Sequence, residues 1–131
     1  MSKSALYAAN TSGQSVAAGG NISFGNIIRR FGCNVNLSGS DVTLRGVGYY
    51  DIDAEFIVTA SAAGTAAITL YKDGTAIPGA VASFTAAADS VYCISIPALV
   101  RTFCCTQSTI TAVLTGMAGT ISNAAIKVSK I

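Results

Sequence analysis

The chain has 131 residues, of which 51% are hydrophobic and only 11% are charged. Its length is that of a single domain with one core, and its apolar content excludes an intrinsically disordered protein. A net charge of +2 and the absence of histidine argue against a nucleic-acid-binding protein and against most acid–base or metal-dependent enzymes.

The amino-terminal part predicts short strands separated by glycine, asparagine and serine turns. The residues from 11 to 20 are small and polar, and they predict an extended surface segment. We therefore divide the chain into a flexible anchor segment, residues 1–20, and a β domain, residues 21–131. The strands predicted in this part are residues 5–8, 21–24, 34–37 and 42–44.

The clearest strand of the sequence spans residues 48–61, where apolar and polar residues alternate. A period of two predicts that one side of the strand is buried and the other is exposed. The acidic residues Asp51, Asp53 and Glu55 share the side predicted to be exposed. The side predicted to be buried carries Tyr50, Ile52, Ala54, Phe56 and Val58.

The middle of the chain predicts strands joined by tight turns. Asp73 and Gly74 have the composition of a two-residue hairpin turn, and Pro78 and Gly79 predict a second turn. Pro97 predicts the end of a strand, because proline lacks the N–H group that a ladder needs. The strands predicted here are residues 65–72, 75–77, 81–85 and 90–96, with a loop at residues 86–89.

The carboxyl-terminal part predicts strand structure within residues 103–114 and a closing strand at residues 123–131. In the closing strand, Lys127 and Ser129 are predicted to face outward. About ten short strands at this spacing predict an all-β sandwich or barrel. The residues predicted to face inward in this part are Ile110, Ala112, Leu114, Ala124, Ile126 and Val128.

Three stretches resemble the C1q and tumour-necrosis-factor-like jelly-roll family. Residues 41–52, DVTLRGVGYYDI, resemble the short strand, the turn and the Gly-x-Tyr opening of the family's long central strand. Residues 70–79, LYKDGTAIPG, are similar to a hairpin of bacterial and phage members, and residues 123–128, NAAIKV, to the last strand. The resemblance implies a C1q/TNF-like jelly-roll sandwich of about ten short antiparallel strands that assembles as a homotrimer.

The resemblance also implies that the acidic side of the central strand lies at the threefold axis, so Asp51, Asp53 and Glu55 are predicted interface residues. Nine carboxylates at one axis repel one another unless cations are near. Lys127 is the predicted counter-ion, because the last strand neighbours the central strand in this topology; Ile131 ends the same strand. We expect Lys127 to pair with Asp51 or Asp53, within or between subunits. The alternatives are a solvated acidic surface and a calcium ion at the axis, although no loop motif matches a calcium site.

The four cysteines, Cys33, Cys93, Cys104 and Cys105, are predicted to be reduced and mostly buried. Their spacing lacks the C-x₂-C pairs of a zinc site, and adjacent cysteines bridge each other only with strain. Cys93 is predicted to pack as a small apolar side chain, and one thiol of the adjacent pair is predicted to be accessible. No cofactor is predicted.

The composition predicts self-association, because a chain half apolar with so few charges has too little polar surface to coat an isolated small domain. With no collagen-like stalk and no signal peptide, the resemblance implies a bacteriophage virion protein, made in the bacterial cytoplasm, that decorates or projects from the capsid. Its predicted partners are itself and a capsid or other virion protein, reached through Arg29 and Arg30, since arginine forms bidentate contacts with carboxylates. A solvated surface is the other interpretation of these arginines. Neither a membrane nor a nucleic acid is a predicted partner.

The alternative function is the receptor- or glycan-binding head of a fibre, or a bacterial surface or spore-coat adhesin. Exposed tyrosines are common in binding surfaces, and the candidates here are Tyr49, Tyr71 and Tyr92.

Overall fold

The computed structural model describes residues 3–103 and 106–131. The strands in these ranges form two antiparallel sheets that pack face to face around one apolar core. This architecture confirms the predicted all-β sandwich. The strands are β1 (Ala5–Asn10), β2 (Gln14–Val16), β3 (Gly20–Asn21), β4 (Asn26–Phe31), β5 (Val35–Ser38), β6 (Asp41–Arg45), β7 (Gly48–Ala60), β8 (Gly64–Lys72), β9 (Thr75–Ala86), β10 (Val91–Thr102), β11 (Gln107–Thr115) and β12 (Gly119–Lys130).

The first sheet has the strand order β10-β7-β12-β1-β4, with β2 paired to β12. The second sheet has the order β5-β6-β11-β8-β9, with β3 paired to β11. Both sheets join strands from distant parts of the chain, such as β1 with β12 and β6 with β11, and only β5–β6 and β8–β9 are neighbours that also follow each other in the described sequence. The last strand is therefore a central strand of the first sheet, next to β7.

The predicted inward residues of β7, β11 and β12 are all buried in the core. On β7, the rings of Phe56 and Phe24 pack with their centroids 5.9 Å apart. Phe24 comes from the segment between β3 and β4, which therefore closes the core beside the first sheet. Asp51, Asp53 and Glu55 lie on the exposed side of β7, as the alternation predicts.

The hairpin turn between β8 and β9 has the geometry that its sequence predicts. Asp73 and Gly74 have φ angles of 53° and 83°. Two central residues with positive φ define the turn whose twist matches that of antiparallel strands. Lys72 and Thr75 pair directly across this turn.

Two predicted strand ends were wrong. Pro78 and Gly79 do not separate two strands but lie within β9, where a register shift opposite Leu70 absorbs the extra residues. Pro97 lies within β10, opposite Asp53. Because β10 is at the edge of the first sheet, an N–H facing away from β7 is not needed for the ladder, and proline is tolerated there.

The predicted boundary at residue 20 was also wrong, because β1 belongs to the sandwich. β1 pairs with β12 on one side and with β4 on the other. Leu6 and Ala8 are buried in the core. An isolated pair of strands is only marginally stable in water, and β1 gains its stability from β4 and from β12, which lies more than a hundred residues further along the chain. The sandwich therefore begins at Ala5.

β4 was not predicted, and its sequence explains why. All six of its residues are exposed, so its apolar residues show no alternation from which a buried side can be inferred. Its strand conformation comes from pairing with β1.

The described cysteines do not pack in the core. Cys33 and Cys93 are both free and exposed, so the predicted burial of Cys93 was wrong. Cys93 lies on the same side of β10 as Ser95, away from the buried Ile94 and Ile96. Cys104 and Cys105 lie outside the described residues.

Over residues 3–103 and 106–131, the chain contains no helix with the length and apolar character needed to cross a membrane.

Candidate functional site

The outer face of the first sheet carries five exposed or half-exposed residues in register, one from each strand of the β10-β7-β12-β1-β4 path. We call this set the central row. Its members, in strand order, are Pro97, Asp53, Lys127, Tyr7 and Arg29.

The predicted counter-ion lies beside the acidic strand. Lys127 Nζ is 3.8 Å from Asp53 Oδ2, and both side chains are more than half exposed. An exposed ion pair of this kind contributes about 0–1 kcal/mol to stability. The pair therefore neutralises one carboxylate of the face and does little to hold the fold. Its place at a subunit interface stays a prediction.

The other two carboxylates of β7 are not paired with a cation. Glu55 Oε2 accepts a hydrogen bond of 3.4 Å from Ser95 Oγ on β10. Asp51 lies between Leu99 and Ser129 in the register, and its carboxylate makes no hydrogen bond or ion pair with any residue of the described ranges. β7 therefore presents net negative charge on this face.

A second row of residues lies beside the central row, and we call it the outer row. In strand order its members are Leu99, Asp51, Ser129, Ala5 and Phe31. Leu99 and Phe31 stand at its two ends with 58% and 67% of their surface exposed. Tyr49 and the terminal Ile131 are also exposed at this end of the sheet. The large apolar side chains therefore stand at the two ends of the row, with the short or charged side chains of Asp51, Ser129 and Ala5 between them.

Two shallow depressions cover these rows. The larger, of about 490 Å³, is bounded by Tyr7, Asp53, Glu55, Pro97 and Lys127. A smaller depression of about 270 Å³ lies beside it and includes Tyr7, Arg29 and Phe31. The short side chains of Ala5, Ala125 and Ser129 form the low middle of the face. The face is thus an open, shallow surface and not a closed pocket.

The predicted docking residues Arg29 and Arg30 separate. Arg29 is in the central row, opposite Tyr7. Arg30 pairs in register with the buried Leu6 and therefore has the other orientation. Its Nη1 donates a hydrogen bond of 2.8 Å to Asn36 Oδ1 at the edge of the second sheet. Of Arg29 and Arg30, Arg29 is the one that lies on the same face as the acidic residues.

The buried Tyr50 fixes the turn that leads into β7. Its hydroxyl is 2.7 Å from the carbonyl oxygen of Arg45 and 3.0 Å from that of Gly46. Thr102, at the end of β10, also donates to the Gly46 carbonyl. Gly46 has a φ of 98°, a conformation that favours glycine. This cluster joins the start of β7 to the end of β10, and so helps to fix the register between the acidic strand and the edge strand.

Burial raises the pKa of Tyr50, while its hydrogen bond to Thr102 acts in the other direction. Because the pKa is raised in the folded state, the neutral phenol stabilises the fold at pH values below its unfolded pKa of about 10. This contribution is lost as the pH rises through the folded-state pKa. The wild-type chain should therefore lose free energy of unfolding as the pH rises above the unfolded pKa of about 10 and through the raised folded-state pKa.

Tyr50→Phe is expected to lower the free energy of unfolding near neutral pH by about 1 kcal/mol, because the hydrogen bonds between the Tyr50 hydroxyl and the Arg45 and Gly46 carbonyls are lost. The variant should also lose part of the decline above about pH 10. Urea denaturation at neutral and alkaline pH measures both effects. Tyr49→Phe is the matched control, since Tyr49 is the exposed neighbour and its replacement should change neither. An alkaline decline equal in wild type and Tyr50→Phe would contradict the assignment.

Sequence reasoning missed Tyr7, Phe31 and Leu99 as residues of this face. Tyr7 lies in a predicted strand, and its alternation with Leu6 and Ala8 is the signal that places it outward. Leu99 was missed because the strand was predicted to end at Pro97. Phe31 lies in β4, which carries no alternation signal.

No group of three acidic, thiol or imidazole side chains that could hold a metal ion is formed within the described ranges.

No family model and no curated protein sequence matches the chain. Among solved structures, murine APRIL at pH 5.0 is similar with a TM-score of 0.78 and 12% identity, over 99% of this chain and 100% of that chain. The globular domain of zebrafish complement 1qA protein has a TM-score of 0.73 and 9% identity, over 97% of this chain and 95% of that chain. PRD1 vertex protein P5 has a TM-score of 0.64 and 17% identity, over 98% and 96%. These similarities confirm the predicted fold, a TNF/C1q-like jelly-roll sandwich.

Proposed function

We propose that this chain is a non-enzymatic structural protein of a bacteriophage virion, which assembles as a homotrimer and decorates or projects from the capsid. The outer face of the first sheet carries the proposal. It combines exposed apolar side chains with charges of both signs on a broad and shallow surface. Such a surface suits a large protein partner better than a small substrate, which is normally bound in a concave pocket.

The homotrimer is supported by the C1q/TNF-like fold and by this exposed face. Leu99 and Phe31 are more than half exposed in a single copy, and covering them with further copies removes apolar surface from water. A threefold ring is a closed assembly that buries the same pair of surfaces in every subunit. The predicted interface residues Asp51, Asp53, Glu55, Lys127 and Ile131 all lie at this face.

The virion location is supported by the similarity to a vertex protein, PRD1 P5. A vertex is a position on the surface of an icosahedral shell, so a protein of this fold can occupy such a place. The absence of histidine from the whole sequence and the presence of one glutamate leave few groups for acid–base chemistry at neutral pH, which supports a structural role.

Attachment to the particle requires a surface outside the trimer contacts. Within the segment first predicted as an anchor, the residues that stay exposed are in the loops around β2, including Thr11, Gly13 and Ala18. We place the capsid contact in these loops, because β1 and β2 themselves are paired with other strands of the first sheet. Alanine-to-aspartate and threonine-to-aspartate substitutions there leave β1 intact.

The purified chain is expected to have a solution mass three times that of the 13.2 kDa subunit, as measured by multi-angle light scattering. It should also co-sediment with purified capsids of the bacteriophage that encodes it, and Thr11→Asp with Ala18→Asp should abolish that co-sedimentation without changing the mass. A stable single copy at micromolar concentration would refute the trimer. Binding to intact bacterial cells, with none to capsids, would instead assign the chain to the receptor-binding heads.

A further inference from the structure

The outer face of the first sheet has an acidic side and a basic side. We define the acidic side by Asp51, Glu55 and Leu99 on β7 and β10, and the basic side by Arg29 and Phe31 on β4. β12 runs between the two sides, where Lys127 is already paired with Asp53. Each side therefore combines unneutralised charge with one exposed large apolar side chain.

The two charges that define these sides cannot meet within one copy. β7 and β4 are three strand positions apart, which at the usual strand spacing is about 14 Å. That separation exceeds the Debye length of about 8 Å at physiological ionic strength. The side chains of Asp51 and Arg29 form no hydrogen bond or ion pair with another residue in 3–103 or 106–131.

The side chains of the other two arginines near this face, Arg101 and Arg30, already have contacts within the chain. The guanidinium of Arg101, on β10, lies 4.7 Å from the ring centroid of Phe103 and 5.7 Å from that of Tyr49. The side chain of Arg30 donates a hydrogen bond to Asn36 on β5, at the edge of the second sheet. Of these three arginines, Arg29 is the one that faces outward and has neither a cation–π contact nor a side-chain hydrogen bond within the described residues.

We propose that the acidic side of one copy binds the basic side of the next, so that Asp51 pairs with Arg29 of the neighbour and Leu99 packs on Phe31 of the neighbour. This inference rests on the proposed homotrimer. In a threefold ring every contact joins two different surfaces of the chain, and two complementary sides of one sheet face meet that requirement. The Lys127–Asp53 pair stays within each copy and keeps the middle of the face neutral.

Charge reversal tests the pairing. Arg29→Asp and Asp51→Arg are each expected to raise the dissociation constant of the trimer about tenfold or more, because each places two like charges at the contact. The double variant Arg29→Asp/Asp51→Arg restores opposite charges and should recover most of the affinity. Arg30→Asp is the matched control, since Arg30 is adjacent in sequence but points away from the face, and it should leave the dissociation constant unchanged. Sedimentation equilibrium measures all four against wild type.

The outcomes separate this inference from the function on which it rests. A wild-type monomer would overturn the homotrimer itself. A wild-type trimer that both single reversals leave intact would overturn only the Asp51–Arg29 pairing, as would an equal loss of affinity in Arg30→Asp and Arg29→Asp. Single reversals that weaken the trimer without rescue in the double variant would show that the two residues contact different partners, which also overturns the pairing. Leu99→Asp alone is expected to dissociate the trimer, because it places a charge in the contact between Leu99 and Phe31 of the neighbouring copy.

Discussion

Removal of residues 1–10 is expected to prevent folding of the chain. The deletion takes away β1, the strand between β12 and β4 in the first sheet. Without it, β4 loses its neighbour and β12 is left with an open edge, while Leu6 and Ala8 leave the core. A chain tolerates a truncation when the removed backbone is exposed and makes few hydrogen bonds. The backbone of β1 is paired on both sides, as in any central strand, so its removal is not tolerated.

Circular dichroism and urea denaturation of the truncated chain provide the measurement, and we expect no cooperative transition. Removal of residues 1–3 is the control, because β1 begins at Ala5; this shorter truncation should unfold like the full chain. A synthetic peptide of residues 3–12, added to the longer truncation, should restore the transition by supplying the missing strand. A truncated chain that unfolds cooperatively at the wild-type midpoint would contradict the placement of β1.

This prediction changes how the anchor proposal has to be tested. Loss of capsid binding after deletion of residues 1–20 would report unfolding as readily as loss of an anchor. Substitutions at Thr11 and Ala18, which lie outside β1 and β2, separate the two effects.

Phe56→Ala is expected to lower the free energy of unfolding by about 3–5 kcal/mol, the usual cost of deleting a buried phenylalanine ring. Phe56 is fully buried at the centre of β7, with Ala124 of β12 and Ile94 of β10 directly opposite it. Its ring packs against that of Phe24. Two flanking strands hold β7 by ladders on both sides, so the backbone cannot move inward to fill the space.

Urea denaturation at one fixed protein concentration measures this change, since the stability of an oligomer depends on concentration. Phe103→Ala is the matched control. Phe103 is exposed and its ring contacts the Arg101 guanidinium, so the loss of this ring should cost about 1 kcal/mol or less. A cost for Phe56→Ala as small as that of the control would mean that the Phe24–Phe56 contact is not part of the core.

The candidate face could be predicted in part. Strand alternation alone places Asp53 and Lys127 outward, because a period of two is a property of a few consecutive residues. The resemblance to the jelly-roll family then predicts that their strands are neighbours, and the two charges are in fact 3.8 Å apart. The apolar ends of the face were not predictable in this way. Phe31 lies in an exposed strand without alternation, and Leu99 follows a proline that reads as a strand end.

The amino-acid sequence by itself determined which side of β7, β11 and β12 is buried and where the Asp73–Gly74 hairpin turns, since both depend on neighbouring residues and on backbone sterics. Only the tertiary structure decided that β1 lies between β12 and β4, that β9 and β10 continue through their prolines, and that Arg29 shares a face with Asp51. Those features depend on which distant segments pair, and pairing is selected by burial of the whole core and not by any local pattern.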